Sequence, residues 1–175
     1  MIPSSWLQFT WDLASLPAAP TELPDHYQIT LATAEDTREL RKVIVSSFAL
    51  DPNWNPTMQE VMLTIEGWLQ RAAEAETGVY LVLRHGLRII GAAVVTVDPV
   101  GDNHLAPGPS ILTEYRNRGF GTCMLERSLT TLRDAGLTQA CAIGRDSSPA
   151  AKFLYTKFGS TQVPFQLDRG CGVVG

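Results

Sequence analysis

The chain has 175 residues, a length that usually folds as one domain and buries about 70% of the surface that its unfolded form exposes. Hydrophobic residues make up 45% of it and charged residues 18%, which is ordinary for a globular protein. The formal net charge of −4 argues against a general nucleic-acid-binding protein, which usually carries a basic excess. It leaves room for a small-molecule site with local positive charge.

The cysteines show neither a disulfide framework nor a metal-ligand spacing. Cys123, Cys141 and Cys171 are far apart and odd in number, which favours reduced thiols and a cytoplasmic location. No apolar run approaches the roughly 20 residues that a membrane helix needs, and the N-terminus lacks the pattern of a secretory signal. We therefore expect a cytoplasmic protein with neither a membrane nor a nucleic acid as partner.

Residues 1–24 are predicted to form an N-terminal arm. Within it, Phe9, Trp11 and Leu13 alternate with polar residues, a period typical of a short strand. This aromatic arm could cover its own domain or a partner subunit, so a homodimer is possible. The domain itself is expected at 25–168, followed by a flexible, glycine-rich tail at 169–175.

The first half of the domain is predicted to contain a strand, two helices and a hairpin. Thr33, with Asp36 three residues later, predicts the start of the first helix. Gly91, inside a hairpin strand, predicts a bulge or a close approach. The expected elements are a strand at 27–31, helices at 34–49 and 56–77, and hairpin strands at 79–83 and 88–97.

The second half alternates strands with helices. The expected elements are a strand at 104–113, a helix at 119–135, a strand at 137–143, a helix from 147 to 158 and a strand at 161–167. Pro107 and Pro109 should make the first of these strands irregular, because proline cannot donate to a sheet ladder. The order predicts an α/β (α+β mixed) fold, a central mixed β-sheet with helices on both faces.

The segment Arg116–Thr122 has the features of a phosphate cradle. Gly119 and Gly121 let the backbone turn tightly and approach a ligand without a Cβ. A helix starts within the segment, and its first N–H groups and its dipole favour an anion. Arg116 and Arg118 add positive charge. The alternative is a tight turn between strand and helix that binds nothing.

Two other phosphate sites are excluded by the residues present. A P-loop needs lysine and then serine or threonine after its second glycine, whereas Gly121 is followed by Thr122 and Cys123. A dinucleotide site needs an acidic residue about 20 positions further on, at the end of the next strand. Residues 138–143 contain no carboxylate.

The last helix presents a tyrosine at the edge of its apolar stripe. Tyr155 lies beside the stripe of Ala151, Leu154 and Phe158, and Ser148 lies seven residues earlier on nearly the same face. A tyrosine in such a place can keep its ring in the core and its hydroxyl in a cleft. The alternative is a core tyrosine whose hydroxyl is bonded to a carbonyl.

Together, these two segments resemble the GNAT superfamily of acyl-CoA N-acetyltransferases. Arg116–Gly121 matches its signature Gln/Arg-x-x-Gly-x-Gly/Ala, and residues 113–116 resemble the usual approach to it. Ser148–Gly159 resembles its second motif, Asn-x-x-Ala-x-x-Phe/Leu-Tyr followed by Lys-x-Gly. The element order also matches that fold, and the resemblance covers roughly residues 27–167.

The resemblance implies where acetyl-CoA, the co-substrate, would bind. In that family the cradle backbone holds the CoA pyrophosphate, the preceding strand end pairs with the pantetheine arm, and the tyrosine serves the leaving thiolate. Tyr155 is thus the implied catalytic residue, and no metal is implied. The implied cofactor-binding residues are Ile111, Leu112, Thr113, Arg116, Asn117, Arg118, Gly119, Phe120, Gly121, Thr122 and Ser148. Ser148 stands where the family often has Asn, and Pro107 and Pro109 interrupt the strand that usually splays.

The implied reaction is direct attack of a primary amine, on a small molecule or a peptide, on acetyl-CoA. Deprotonating a lysine-like amine at pH 7 costs about 4.6 kcal/mol, and an α-amine only about 1.4 kcal/mol. No base is evident, and His104 and Asp102 are the candidates. The acceptor pocket is expected between the first two helices and the hairpin, with Phe48, Asp51, Trp54 and Asn55 available. A non-catalytic acyl-CoA-binding sensor or regulatory domain of the same fold is the alternative function.

Overall fold

The computed structural model describes residues 5–17, 21–49, 66–67, 70, 78–105, 108–146, 148 and 150–165. The strands with defined bounds are β1 Trp6–Asp12, β2 Tyr27–Leu31, β3 Gly78–His85, β4 Arg88–Thr96, β5 Ser110–Ile111, β6 Gln139–Arg145 and β7 Thr161–Phe165. The α-helices with defined bounds are α1 Thr37–Ala49 and α2 Phe120–Asp134. Of the predicted second helix, residues 66, 67 and 70 are described and are helical. Among the described residues, no helix is long and apolar enough to cross a membrane.

The strands form two antiparallel sheets, one with the order β2-β3-β4-β5 and one with the order β6-β1-β7. His104 and Leu105 link them. The His104 carbonyl accepts from the Thr96 amide at 2.9 Å, and the His104 amide donates to the Cys141 carbonyl of β6 at 2.7 Å. Beyond this link, no backbone pairing among the described residues joins β5 to β6. We call the space between β5 and β6, where their described residues do not pair, the gap.

Helices cover both faces of the four-stranded sheet, which confirms the predicted α/β fold. The α1 side chains Leu40, Val43 and Ile44 pack on one face, against residues that include Val82 and Val94. Phe120 and Met124 of α2 pack on the other face, and the residues they meet there are Ile29, Leu81, Leu83, Ile90, Ala93 and Ile111. Because neighbouring residues of a strand point to opposite faces, β4 supplies both cores.

The N-terminal strand lies in the middle of the smaller sheet. β1 pairs with β6 along one edge and with β7 along the other, for example Phe9 with Ala142 and with Gln162. Its alternation is confirmed, since Phe9 and Trp11 are both fully buried. The segment after β1 is attached to α2, where the buried carboxylate of Glu126 accepts from the Thr21 amide at 2.6 Å and from its hydroxyl at 3.2 Å.

Several predicted local features are confirmed. The Thr33 amide donates to the Asp36 carboxylate at 2.8 Å, in the turn that begins the first helix. The hairpin has a register shift between Leu83 and Arg84, opposite Gly91. A Cβ on Gly91 would lie 2.8 Å from Cδ1 of Ile111, so glycine is needed there for space.

Two predicted elements differ from the structure. Of the strand predicted at 104–113, the described residues 104, 105 and 108–113 form a bridge at Leu105 and the two residues of β5. The last helix is wrong in type and length, since a π-helical turn at Ala150–Leu154 replaces it. The Tyr155 amide bonds to the carbonyl of Ala150, five residues back, at 2.7 Å. Phe158 and Gly159 then adopt left-handed φ values of 62° and 71°, which prevent the helix from continuing.

Candidate functional site

The turn before α2 has the geometry of an anion site. Asn117 and Gly119 adopt left-handed φ values of 64° and 84°, and Gly119 is the N-cap of α2. The Cys123 amide bonds to the Gly119 carbonyl at 3.1 Å. The amides of Phe120, Gly121 and Thr122 therefore precede the first i→i−4 bond of the helix. A Cβ on Gly119 would meet nothing within 4 Å, so the space beside it is open.

The two arginines of this turn point to different partners. Arg116 donates from Nε to the Ile111 carbonyl at 3.1 Å and from Nη2 to the Ser47 carbonyl at 2.9 Å. It thereby ties the end of β5 and the end of α1 to the turn. The Arg118 guanidinium lies 5.4 Å from the centre of the Tyr115 ring, and the residue is exposed. Of the two arginines, Arg118 is therefore the one whose side chain is exposed at this turn.

The residues before the turn border the gap between the sheets. The Leu112 amide donates to the Ile90 carbonyl at 2.9 Å. In an antiparallel ladder every second residue points its backbone N–H and C=O groups at the neighbouring strand, so those of Ile111 point away from β4. Consistent with this, the Ile111 carbonyl accepts from the Ser47 hydroxyl at 3.2 Å. Thr113 follows in an exposed 3-10 turn. Pairing of residues 111–113 with a pantetheine arm stays a prediction.

Tyr155 is buried, with 6% of its surface exposed. Its ring centre lies 5.4 Å from that of Phe9 and 5.7 Å from that of Trp11, the latter nearly edge-on at 84°. Its hydroxyl lies against Gly108, where a Cβ would overlap the hydroxyl oxygen. Burial raises the pKa of Tyr155 to about 12, so the side chain is neutral at physiological pH.

The π turn brings the two predicted constellations together. Leu154 lies beside the first turn of α2, with its Cδ1 3.8 Å from the position that a Cβ would take on Gly121. The next residue, Tyr155, crosses the gap from β6 to Gly108, because a Cβ on Gly144 would lie 3.6 Å from its Cε2. The turn before α2 and the Tyr155 ring are therefore linked through two consecutive residues, Leu154 and Tyr155.

Ser148 lies beside Tyr155, as the sequence predicts. Its Oγ lies 3.8 Å from the same Cβ position on Gly144. The hydroxyl donates to the Arg145 carbonyl at 2.8 Å and accepts from the Ala151 amide at 3.2 Å. Ser148 therefore caps the π turn, and a contact with pantetheine stays a prediction.

His104, a candidate base, is held inside the structure. Its side chain is buried; Nδ1 accepts from the Cys141 amide at 2.9 Å, and Nε2 lies 2.7 Å from the Asp98 carbonyl. Nε2 must therefore carry the proton, and both ring nitrogens are occupied. This arrangement supports the link between the sheets rather than proton transfer. For the other candidate, Asp102, the contact shown is made by its backbone carbonyl, which accepts from Gln8 at 3.0 Å.

A cavity of about 580 Å³ lies between α1, the 66–70 segment and β3. This is the region where the acceptor pocket is predicted, and the Arg41–Glu66 ion pair, at 3.3 Å, lines it. Its other lining residues are Ala32, Thr33, Ala34, Thr37, Leu40, Gln70 and Tyr80. The predicted acceptor residues Asp51, Trp54 and Asn55, and the side chain of Phe48, lie outside the described residues.

Sequence reasoning missed two residues of the site, Phe9 and Trp11. Their alternation predicts a buried strand, yet nothing local places that strand beside Tyr155. The contacts join residues that lie near opposite ends of the sequence. A signal for them would have to come from long-range pairing, which local periodicity does not contain.

Two antiparallel sheets joined by a short link, with helices on both faces of the larger sheet, define a protein of the mixed α/β class. The model of the acetyltransferase (GNAT) family matches residues 31–159, and the chain belongs to this family. Among curated proteins, none matches the chain.

Several solved structures have a fold similar to that of the chain. The chain is similar to a GCN5-related N-acetyltransferase from Sphaerobacter thermophilus, with 16% identity, a TM-score of 0.64, and coverage of 93% of this chain and 50% of that one. One from Kribbella flavida has 14% identity, a TM-score of 0.56 and coverages of 98% and 61%. A GNAT family acetyltransferase from Brucella melitensis, in complex with acetyl-CoA, has 21% identity, a TM-score of 0.51 and coverages of 65% and 73%. The chain spans 49–58% of the length of three of the matched structures.

Proposed function

We propose that this protein transfers the acetyl group of acetyl-CoA to a primary amine by direct attack of the amine. One observation carries the proposal: Leu154, which ends the π turn, contacts the first turn of α2, and the next residue, Tyr155, lies in the gap between the sheets. A donor with phosphate at one end and a reactive thioester at the other fits such a site. The acetyl-CoA complex of the Brucella melitensis relative is consistent with this donor.

In this proposal the chain's own groups hold the donor at both ends. The amides of Phe120, Gly121 and Thr122 bind the pyrophosphate, with Arg118 beside them. The edge of β5 that faces away from β4 borders the pantetheine arm. The amine nitrogen forms a bond to the thioester carbon, the carbon–sulfur bond breaks, and the sulfur leaves with the bonding electron pair. Tyr155 donates a hydrogen bond to that sulfur, and the amine proton passes to water.

The raised pKa of Tyr155 limits what its hydroxyl can do. Complete proton transfer from a group of pKa about 12 to a thiolate of pKa about 8.5 is uphill by about 5 kcal/mol. Donation of a hydrogen bond to the developing charge avoids that cost. Tyr155 therefore acts in this proposal as a neutral hydrogen-bond donor at physiological pH.

The amine must reach the thioester already neutral. Because both ring nitrogens of His104 are occupied, we do not assign the role of general base to that residue. An α-amine, which loses its proton at pH 7 for about 1.4 kcal/mol, can use a water relay, whereas a lysine-like amine needs about 4.6 kcal/mol. Since His104 is not available as a base, we propose an acceptor amine of low pKa, which a water relay can deprotonate.

Substitution of Tyr155 tests the catalytic step. Tyr155→Phe should lower kcat about 10- to 100-fold, the value of one hydrogen bond to a charged group, and leave the Kd for CoA unchanged. Thiol release from acetyl-CoA measures kcat, and calorimetry measures binding. Tyr27→Phe is the matched control, because this ring stacks on His85 outside the gap. A kcat equal to that of the unmodified protein would remove Tyr155 from the reaction.

The same assay separates an enzyme from a non-catalytic acyl-CoA sensor. The occupied ring nitrogens of His104 favour the sensor, because they leave this candidate base unable to take a proton. The panel of acceptors contains polyamines, amino acids, aminoglycosides and peptide N-termini. Thiol release with one class of amine supports the enzyme and identifies its acceptor. CoA binding without release for any amine supports the sensor.

A further inference from the structure

The strand β1 holds the smaller sheet together at the place where Tyr155 lies. Each of β6 and β7 pairs with β1, and β1 separates them. Tyr155 belongs to the segment that connects β6 to β7, so it lies on the chain crossing over β1. The side chains of β1 that face this segment are Phe9 and Trp11, whose rings both contact the Tyr155 ring.

Trp11 contacts this segment in two ways. Its ring meets Tyr155 nearly edge-on, and its Nε1 donates to the carbonyl of Lys157 at 2.8 Å. The backbone on either side of Tyr155 is a π turn and a left-handed turn, so a regular helix does not fix its position. Side-chain bonds do so instead, from Trp11 to Lys157 and from the Ser160 hydroxyl to the Tyr155 carbonyl.

The space around the Tyr155 hydroxyl leaves little room for movement. A Cβ on Gly108 would overlap the hydroxyl oxygen, and a Cβ on Gly144 would lie 3.6 Å from the ring. A small rotation of the ring would therefore change where the hydroxyl points in the gap. Misplacement of a reacting group by about 1 Å can cost about 100-fold in rate.

We propose that β1 is part of the active site and that Trp11 is the positioning residue that aims the Tyr155 hydroxyl into the gap between β5 and β6. The proposal rests on the proposed function, because it gives a catalytic purpose to the direction of this hydroxyl. It goes beyond that function by assigning a role to residues before the family-matched segment, which begins at residue 31.

A double-mutant cycle on the full-length protein tests the proposal. Trp11→Phe keeps an aromatic ring but removes the bond to the Lys157 carbonyl. We expect kcat to fall about 3- to 10-fold with the Kd for CoA unchanged, the effect of one lost hydrogen bond. In a Tyr155→Phe background, Trp11→Phe should have no further effect on kcat. Phe9→Leu, which removes the second ring contact, is the alternative variant if Trp11→Phe is poorly folded.

A second measurement does not depend on activity. Absorbance of tyrosinate during alkaline titration, taken as the difference from the matching Tyr155→Phe protein, reports the ionisation of Tyr155. Trp11→Phe should lower the pKa of Tyr155 from about 12 towards 10, because a ring released from its position gains contact with water. Thr10→Val is the control, since Thr10 points to the other face of β1 and should change neither measurement.

The outcomes separate the two proposals. If Tyr155→Phe leaves kcat unchanged, the catalytic role fails, and the titration still decides whether Trp11 positions the ring. If Tyr155→Phe lowers kcat but the effects of the two substitutions add and the titration is unchanged, Trp11 is only a core residue. Coupled kcat values together with a lowered pKa support the positioning role.

Discussion

At the scale of single residues, Arg116 braces the turn before α2 through backbone carbonyls, whereas Arg118 places its charge at the surface of the same turn. The guanidinium of Arg116 satisfies two backbone carbonyls that lie at the ends of β5 and α1, and water would have to replace it if it were lost. The guanidinium of Arg118 has the Tyr115 ring beneath it and solvent beyond. The motif places both arginines in one turn, but their partners divide their roles.

The two arginines should therefore respond differently to substitution. Arg116→Met should lower the free energy of unfolding by about 2 kcal/mol, since two charge-assisted hydrogen bonds are lost at a half-buried site. Arg118→Met, the matched control, should leave unfolding in urea unchanged and weaken CoA binding several-fold in calorimetry. Equal stability of Arg116→Met and the unmodified protein would contradict the bracing role.

Sequence reasoning succeeds at this scale where the information is local. The spacing of Ser148 and Tyr155 predicts a shared face, and both do lie against Gly144, even though the helix assumed for them is a π turn. It fails for Arg116, because its acceptor on Ser47 is 69 residues away. Neither the composition of the turn nor its spacing contains that partner.

At the scale of elements, the site depends on how the π turn packs against the start of α2. Leu154 fills the space beside Gly121 at ordinary contact distance, so a Cβ there is tolerated while a large side chain is not. The open side of this helix start, next to Gly119, remains available for an anion. The amides of Phe120–Thr122 can thus be approached from the side of Gly119.

Gly121→Trp should abolish measurable CoA binding, because the indole cannot enter the space held by Leu154 and must cover the helix start. Calorimetric titration with CoA measures the loss, and circular dichroism checks that α2 still forms. Arg127→Trp is the control, an exposed position of the same helix beyond its first turn. Retained CoA affinity in Gly121→Trp would rule out the cradle.

The elements also show where local patterns stop being informative. The prolines predict that the strand at 104–113 is interrupted, since each removes a backbone donor, and the described residues of this range form a bridge and β5. The alternation of Phe9, Trp11 and Leu13 predicts a short strand, and β1 contains the first two. Its position between β6 and β7 could not be predicted, because its partners lie more than 120 residues further along the chain.

At the scale of the whole molecule, the gap is a consequence of having two sheets and a narrow link. His104 and Leu105 link β4 to β6 at one end, and β5 pairs with β4 further along that strand. The buried tyrosine is the side chain that crosses this opening. Because the phenol is buried there, its ionisation costs more free energy in the folded protein than in the unfolded chain.

That cost predicts how stability falls in alkali. The folded-state pKa of Tyr155 is about 12 and the unfolded value about 10, so the unfolded chain loses the proton first. The contribution is complete below pH 10 and is lost as pH rises towards 12. Between pH 9 and 11.5, urea unfolding of the unmodified protein should lose about 2 kcal/mol more than that of Tyr155→Phe. All other titrating side chains are common to the two proteins, so parallel curves would mean that the hydroxyl is open to water in solution. The gap would then be wider than the structure shows, and hydrogen-bond donation to the thiolate would take place in a wet site.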